Sequence, residues 1–149
     1  MTNSRIESDR RPFIFNAALS LELVFKAILA RRGCPIPDNA DGHNLVMLCN
    51  AAELQVTDDQ RTMLELMTEE LVWAARYPSP KKADRFDRFY DEIIEKHKKR
   101  ISAGNTHMVL ANSKTFPNFE NYLKVWMAAF STFEAGGSGA IPPSPRATS

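Results

Sequence analysis

The stretch Phe13–Gly33, FIFNAALSLELVFKAILARRG, decides how this chain folds. Before its closing pair of arginines it carries only two charged residues, Glu22 and Lys26, four positions apart. Its apolar residues are distributed nearly all round a helix, which is typical of a helix with neighbours on several sides. We therefore predict a central helix from Pro12 to about Arg32, with Gly33 as the residue that ends it.

This apolar stretch is also about as long as a membrane span. Two polar and two charged residues lie inside it, and each charge costs roughly 2.5–3.5 kcal/mol at the centre of a bilayer. The residues before it are polar, and no small-residue cleavage site follows it, as a signal peptide would require. The two cysteines, Cys34 and Cys49, are too few for a disulfide framework and are expected to be free thiols. We expect a buried helix of a cytoplasmic protein.

Length and composition favour one soluble domain. The chain has 149 residues, of which 44% are hydrophobic and 25% charged, with a net charge of +1. Such a balance gives no general attraction to nucleic acid or to an anionic membrane. We predict a flexible lead-in over residues 1–11, a helical domain over 12–135 and a disordered Gly/Pro/Ser tail over 136–149.

Shorter helices are predicted to follow the first one. A Pro-rich and Asp-rich loop leads to a helix from His43 to about Glu53, for which Asp41 is a candidate cap. Thr57 and Gln60 have the spacing of a capping box and start a helix over Asp58–Arg76. That helix ends there because Tyr77 precedes a proline.

The second half of the chain continues the helical pattern. After Pro80 a helix is predicted to about Ala103, closed by Gly104-Asn105, and then one short extended piece around Val109. Asn118 caps a last helix that reaches about Glu134. The aromatic stripe of that helix is expected to form core or a dimer interface. The fold class is all-α, an up-and-down bundle of four to five helices.

Three segments in the first half of the chain have an order and spacing that are also found in a known family. LELVFKAILARRG contains Lys26 and Gly33, GHNLVML begins with Gly42 and His43, and AARYP contains Arg76-Tyr77. In this order and spacing, over about Leu19–Pro80, the chain resembles the HEPN family, the nucleotide-binding domains of higher eukaryotes and prokaryotes. The resemblance implies a HEPN-like helical bundle.

The same resemblance carries functional expectations. Family members commonly form homodimers, and many act beside a minimal nucleotidyltransferase in toxin–antitoxin or defence systems. A polar pocket for a nucleotide, RNA or partner protein is expected from Glu22, Lys26, His43, Arg76 and Tyr77. We expect no cofactor and no metal, because three scattered histidines lack carboxylates at ligand spacing.

Each pocket residue also has a purely structural interpretation. His43 suits a cap or a hydrogen bond to the local backbone, and Arg76-Tyr77 suits a tie between helix ends. Glu22 and Lys26 suit a partly buried pair that fixes helix packing, since such pairs stabilise little but are costly to break. The sequence leaves both interpretations open.

A catalytic alternative rests on Arg100 and His107, which have six residues between them. Some HEPN proteins cut RNA without a metal, using an arginine, a polar residue after it, and a histidine. An imidazole can move the 2′-hydroxyl proton and a guanidinium can hold the phosphate. Here Ile101 follows the arginine, where a polar residue is usual. We therefore prefer a non-catalytic binding module and keep a metal-independent endoribonuclease as the alternative.

Overall fold

The computed structural model describes residues 3–38, 42–76, 98–104 and 106–136. This part of the chain is mostly helical, as predicted. It contains four helices and one two-stranded sheet. In chain order the elements are α1 (Asn3–Arg31), α2 (Leu45–Ala51), α3 (Asp58–Arg76), β1 (Lys98–Ala103), β2 (Thr106–Ala111) and α4 (Phe119–Ala135).

The first helix is longer than expected. It begins at Asn3, so that residues 3–11, predicted as a flexible lead-in, continue the helix, and Pro12 lies inside it. A proline removes one backbone hydrogen bond without forbidding helix on both sides of it. The side-chain amide of Asn16 donates to the Pro12 carbonyl at 2.7 Å, one turn further on.

The end of α1 confirms the prediction for Gly33. Its φ is +68°, the left-handed conformation that glycine adopts without a steric penalty. The amide of Cys34 donates to the Leu29 carbonyl and that of Gly33 to the Ala30 carbonyl, the two bonds of a Schellman motif. Both cysteines are free thiols, Cys34 exposed and Cys49 buried.

The second helix is shorter than predicted and has a different cap. It starts at Leu45, and the Asn44 side chain accepts the amide of Met47 at 3.0 Å. The expected cap, Asp41, lies outside the described residues. Asn44 is the N-terminal cap because it directly precedes the first helical turn, whose backbone amides have no acceptor within the helix.

The end of α2 repeats the Schellman motif with a less suitable residue. The amide of Leu54 donates to the Cys49 carbonyl and that of Glu53 to the Asn50 carbonyl. Glu53 therefore adopts φ +55°, although it has a Cβ. Arg32 joins the two helix ends, since its guanidinium donates to the Ala52 carbonyl at 2.8 Å.

The capping box of α3 is confirmed. The amide of Thr57 donates to the Gln60 side chain at 2.9 Å, and the amide of Gln60 donates to the Thr57 hydroxyl at 3.2 Å. The predicted cap of the last helix is confirmed as well, because Asn118 accepts the amide of Asn121 at 2.8 Å.

Residues 98–103 and 106–111 pair as an antiparallel hairpin, and the first of these two ranges was interpreted as the end of a helix. The prediction of helix up to Ala103 is wrong from Lys98 onward, and the extended piece around Val109 is one strand of the pair. Gly104, with φ +62°, occupies the first position of a two-residue turn. A Gly-Asn pair between two six-residue runs is a hairpin signal, and it outweighs the helical pattern here.

The core is built around α1, which packs against α2, α3 and α4. Phe119, at the N-terminal end of α4, meets Phe13 of α1, and Phe133 meets Arg31 near the C-terminal ends of both helices, so the two helices run parallel. Side chains that are almost fully buried come from all four helices. The largest are Phe25, Ile14, Leu21, Ile28, Leu29, Leu45, Leu48, Met63, Leu64, Met67 and Val125.

One described segment, Pro12–Arg31, is long and apolar enough to cross a membrane by length and composition alone. Half of it is buried inside the protein. The core helix of a soluble protein and a signal sequence both pass the same test.

Candidate functional site: a polar cluster on the first helix

Three of the five predicted pocket residues meet on one side of α1. The Glu22 carboxylate receives Lys26 Nζ at 2.6 Å on Oε1 and His43 Nδ1 at 3.0 Å on Oε2. Glu22 and Lys26 are neighbours because residues four apart lie above one another on a helix. His43 reaches them from the turn before α2, so the cluster joins two elements.

The turn before α2 comes close to Pro37 and to Lys26 of α1 because residue 42 is a glycine. This residue is buried, and a Cβ added to it would lie 2.8 Å from the Pro37 carbonyl oxygen and 3.7 Å from Lys26 Nζ. Only a residue without a side chain lets the backbone turn this close to Pro37. The turn sets the position of His43, the next residue, over Glu22.

Burial and charge act in opposite directions on Glu22. Its side chain is only 6% exposed. Burial by itself raises the pKa of this carboxyl, but the hydrogen bonds and positive charges of Lys26 and His43 outweigh it and hold the pKa below its usual range. Glu22 is therefore a fixed anion that orders two groups able to carry positive charge.

A hydrogen bond to Thr68 fixes the start of α2, close to the cluster. The amide of Leu45 donates to the Thr68 hydroxyl at 3.0 Å, and this hydroxyl donates in turn to the Leu64 carbonyl at 2.8 Å. The contact ties α2 to α3 directly behind His43. Sequence reasoning missed Thr68, and its place among the apolar residues of α3 was the available signal.

The other two predicted pocket residues are not brought to the cluster by anything described. Arg76 is the last residue of α3, and the structure describes its backbone only. Tyr77 lies outside the described residues. Of the two interpretations left open for His43, the contact that its ring makes is the one with the pocket residue Glu22, through Nδ1.

The cluster has a definite chemical capacity. With Nδ1 held by Glu22, His43 offers Nε2 as the ring nitrogen that a ligand can contact, and its side chain is 47% exposed. The Lys26 side chain is a quarter exposed. A phosphate or carboxylate is the ligand chemistry that the Lys26 ammonium fits, and His43 Nε2 joins it as a donor in the imidazolium form, because a neutral ring that donates from Nδ1 has an acceptor at Nε2.

The proposed catalytic pair lies on the hairpin. Backbone register pairs Arg100 with Val109 and Ser102 with His107. Alternate residues of a strand share a face, so Arg100 and His107 occupy diagonal positions on the same face of the ribbon. Such positions are roughly 7–8 Å apart. The turn after β1 brings these two backbone positions together.

Comparison with protein-family models, curated proteins and solved structures finds no match for this chain. Within residues 3–38, 42–76, 98–104 and 106–136, no group of three or more His, Cys, Asp and Glu side chains is arranged to hold a metal ion.

Proposed function

We propose that this protein is a HEPN-like helical module that binds a nucleotide through its phosphate groups at the Glu22–Lys26–His43 cluster, without cleaving it. The observation that carries this proposal is the meeting of a half-exposed histidine and a part-exposed lysine on one buried carboxylate. The resemblance over about Leu19–Pro80 supports it, because Lys26 and His43 belong to that pattern.

The small net charge of the cluster suits recognition of an anionic ligand at close range more than strong attraction of it from a distance. Glu22 cancels one positive charge, so the cluster is neutral with a neutral imidazole and carries one positive charge with an imidazolium. Lys26 and His43 are preorganised by Glu22, which lowers the entropy lost when a ligand orders them.

The test is binding of nucleoside mono-, di- and triphosphates to the full chain by isothermal titration calorimetry. Lys26→Met is expected to weaken binding at least tenfold, because it removes a donor while keeping the length of the side chain. Lys124→Met is the matched control, since Lys124 forms the same kind of i, i+4 ion pair with Glu120 at 2.7 Å on α4. No binding by the wild type, or equal loss in both variants, contradicts the proposal.

The cellular setting that we propose is the one implied by the resemblance. The module would act in the cytoplasm in a toxin–antitoxin or defence system, with a minimal nucleotidyltransferase as a candidate partner. Co-expression with the nucleotidyltransferase encoded next to this chain, where one is present, tests this. A complex that survives gel filtration supports it, and separate elution of the two proteins contradicts it.

A second candidate function is a metal-independent endoribonuclease. The specific support is the register that places Arg100 and His107 on one face of the hairpin. In this reaction the 2′-hydroxyl of RNA attacks the neighbouring phosphorus, the 5′-oxygen leaves, and a 2′,3′-cyclic phosphate forms. His107 would take the hydroxyl proton and return it to the departing 5′-oxygen, and Arg100 would hold the phosphate oxygens.

RNA cleavage in EDTA separates the two candidates. Cleavage by the wild type that is lost in His107→Ala supports the ribonuclease and overturns the non-catalytic module. Lys99→Ala is the control, because Lys99 lies next to Arg100 but on the opposite face by register. Absence of cleavage by the wild type removes the ribonuclease candidate.

A further inference from the structure

Two exposed leucines of α1 lie beside the line along which this helix contacts α4. Ser20 and Arg31 are on that line, since both contact residues of α4. With 3.6 residues per turn, Leu23 and Leu19 lie roughly 60° and 100° from Ser20, both in the same sense of rotation. Both leucines are exposed, and Leu23 is 60% exposed. The first helix therefore presents an apolar edge along one side of its contact with α4.

The facing edge of α4 contains aromatic residues. Tyr122 faces α1, and Trp126, Phe130 and Leu123 lie roughly 40°, 80° and 100° from it, in the opposite sense to the leucines of α1. Rotations of opposite sense about two parallel helices turn the side chains to the same side of the pair. Phe130 and Leu123 are exposed, whereas Trp126 is partly buried between the two edges. We use the term α1–α4 groove for the surface lined by Leu19, Leu23, Leu123, Trp126 and Phe130.

The aromatic rings at one end of the α1–α4 groove are stacked on one another. The ring centroids of Trp126 and Phe130 are 5.1 Å apart with 7° between the planes, and those of Phe130 and Phe133 are 6.5 Å apart. The Arg31 guanidinium lies 4.6 Å from the centroid of the Phe133 ring. Rings fixed in this way form the kind of surface on which proline-rich segments dock, because such segments lose little entropy on binding.

The chain leaves α4 at the end of the groove where these rings stack. Gly136 directly follows α4, and a Cβ added to it would lie 4.0 Å from the Arg31 side chain. Residues 137–149 lie outside the described residues, and their sequence is GSGAIPPSPRATS. The four residues after α4 are Gly, Gly, Ser and Gly, and glycine permits the backbone conformations that reverse a chain. The three prolines follow this link directly.

The proline-containing segment 140–146 matches the groove in length. Phe119 and Phe133 are fourteen positions apart on α4, which corresponds to about 21 Å along the helix axis. Seven residues in the polyproline II conformation span about 22 Å. A segment that starts beside Phe133 and runs back along α4 therefore reaches the other end of the groove.

We propose that residues 140–146, AIPPSPR, dock in the α1–α4 groove of their own chain as a polyproline II strap antiparallel to α4. At about 3.1 Å per residue, Pro142 then lies level with Phe130. Pro143 lies level with Trp126, so two proline rings meet two stacked aromatic rings. The short link holds the segment at an effective concentration on the order of millimolar, which favours it over a free partner. This inference is independent of the proposed nucleotide-binding function.

The test is NMR spectroscopy of the isotopically labelled full chain. Nuclear Overhauser contacts are expected between the Trp126 indole and the ring protons of Pro143. Replacing Pro142, Pro143 and Pro145 together by Gly keeps the length of the tail and removes the preference for polyproline II. This variant is expected to lose the contacts of the neighbouring Ile141 with the groove and to shift the Trp126 indole N–H peak.

The matched control replaces Ala147, Thr148 and Ser149 together by Gly, which changes three tail residues beyond the strap. It is expected to leave the Trp126 peak and the Ile141 contacts unchanged. A mixture of labelled and unlabelled chains identifies the occupant, and contacts found only between two different chains overturn the strap in favour of a second copy. The proposal is also overturned if the wild type shows no contact between tail and groove, or if the proline variant leaves the Trp126 peak in place.

Discussion

Glu22 and His43 are 21 residues apart in sequence, and their side chains meet at 3.0 Å between Oε2 and Nδ1. The contact joins the middle of α1 to the turn before α2. It gives a buried carboxylate its second partner, after Lys26. The pair is both a structural tie and the core of the candidate site, and the two roles can be separated by measurement.

Replacing Glu22 by Gln is expected to destabilise the fold by about 1–2 kcal/mol, because two donors lose a charged acceptor in a buried place. The measurement is urea unfolding followed by circular dichroism. Glu120→Gln removes the acceptor of the corresponding pair on α4, which is exposed, and is expected to leave the midpoint unchanged. Equal effects of the two substitutions would show that burial of Glu22 does not matter.

The difference in the free energy of unfolding between the wild type and Glu22→Gln is expected to depend on pH. The pKa of Glu22 is lowered in the folded protein, so its contribution is fully present above the ordinary value of 4.5 and is lost as the pH falls through the folded pKa. Unfolding midpoints of both proteins from pH 7 down to the acid limit check this. If the stability difference between the two proteins grew as the pH fell, the pKa of Glu22 would not be lowered in the folded protein.

Gly42→Ala is expected to cost about 1–3 kcal/mol, because the new Cβ would lie 2.8 Å from the Pro37 carbonyl oxygen and one of the two backbone segments must move. The same movement displaces His43 and is expected to weaken nucleotide binding. Thermal unfolding and calorimetry measure the two effects. Gly136→Ala, where the nearest atom is 4.0 Å away, is the control and is expected to change neither.

Glu53→Gly is expected to stabilise the protein by about 0.5–1 kcal/mol. Glu53 holds φ +55° at the end of α2, a conformation that glycine adopts without a steric penalty. The exposed ion pair that it makes with Arg32, at 3.7 Å, contributes little. Glu53→Ala loses the ion pair and keeps the Cβ, so it is expected to bring no gain. Chemical unfolding of both variants decides between these outcomes.

The sequence predicted the features that local chemistry controls. Gly33, the Thr57–Gln60 box and the Asn118 cap each depend on a few neighbouring residues, and each is found where it was expected. The start of α1 was placed too late because Pro12 was given the weight of a boundary. The hairpin was missed because a helical stripe was extended through Lys98–Ala103, although the Gly-Asn turn signal was present.

The arrangement of the site was only partly predictable. Glu22 and Lys26 pair because of helical spacing alone, but the contact with His43 requires the loop to fold back across α1, and no short-range pattern determines that. The orientation of α4 was equally inaccessible. Its aromatic residues were expected to form core or a dimer interface. Tyr122, Trp126 and Phe133 are partly buried against the core, and Val125 and Ala129 are the fully buried residues of the helix.

The bond between Ser20 and Tyr122 joins positions 102 apart in the chain, at 2.8 Å. The ties among the first three helices span far less, 20 residues for Arg32 with Ala52 and 23 for Leu45 with Thr68. Short loops close faster than long ones, so α1, α2 and α3 are expected to assemble first and α4 to dock last. During synthesis, the surface of α1 that contacts α4 is therefore exposed to solvent until α4 has left the ribosome.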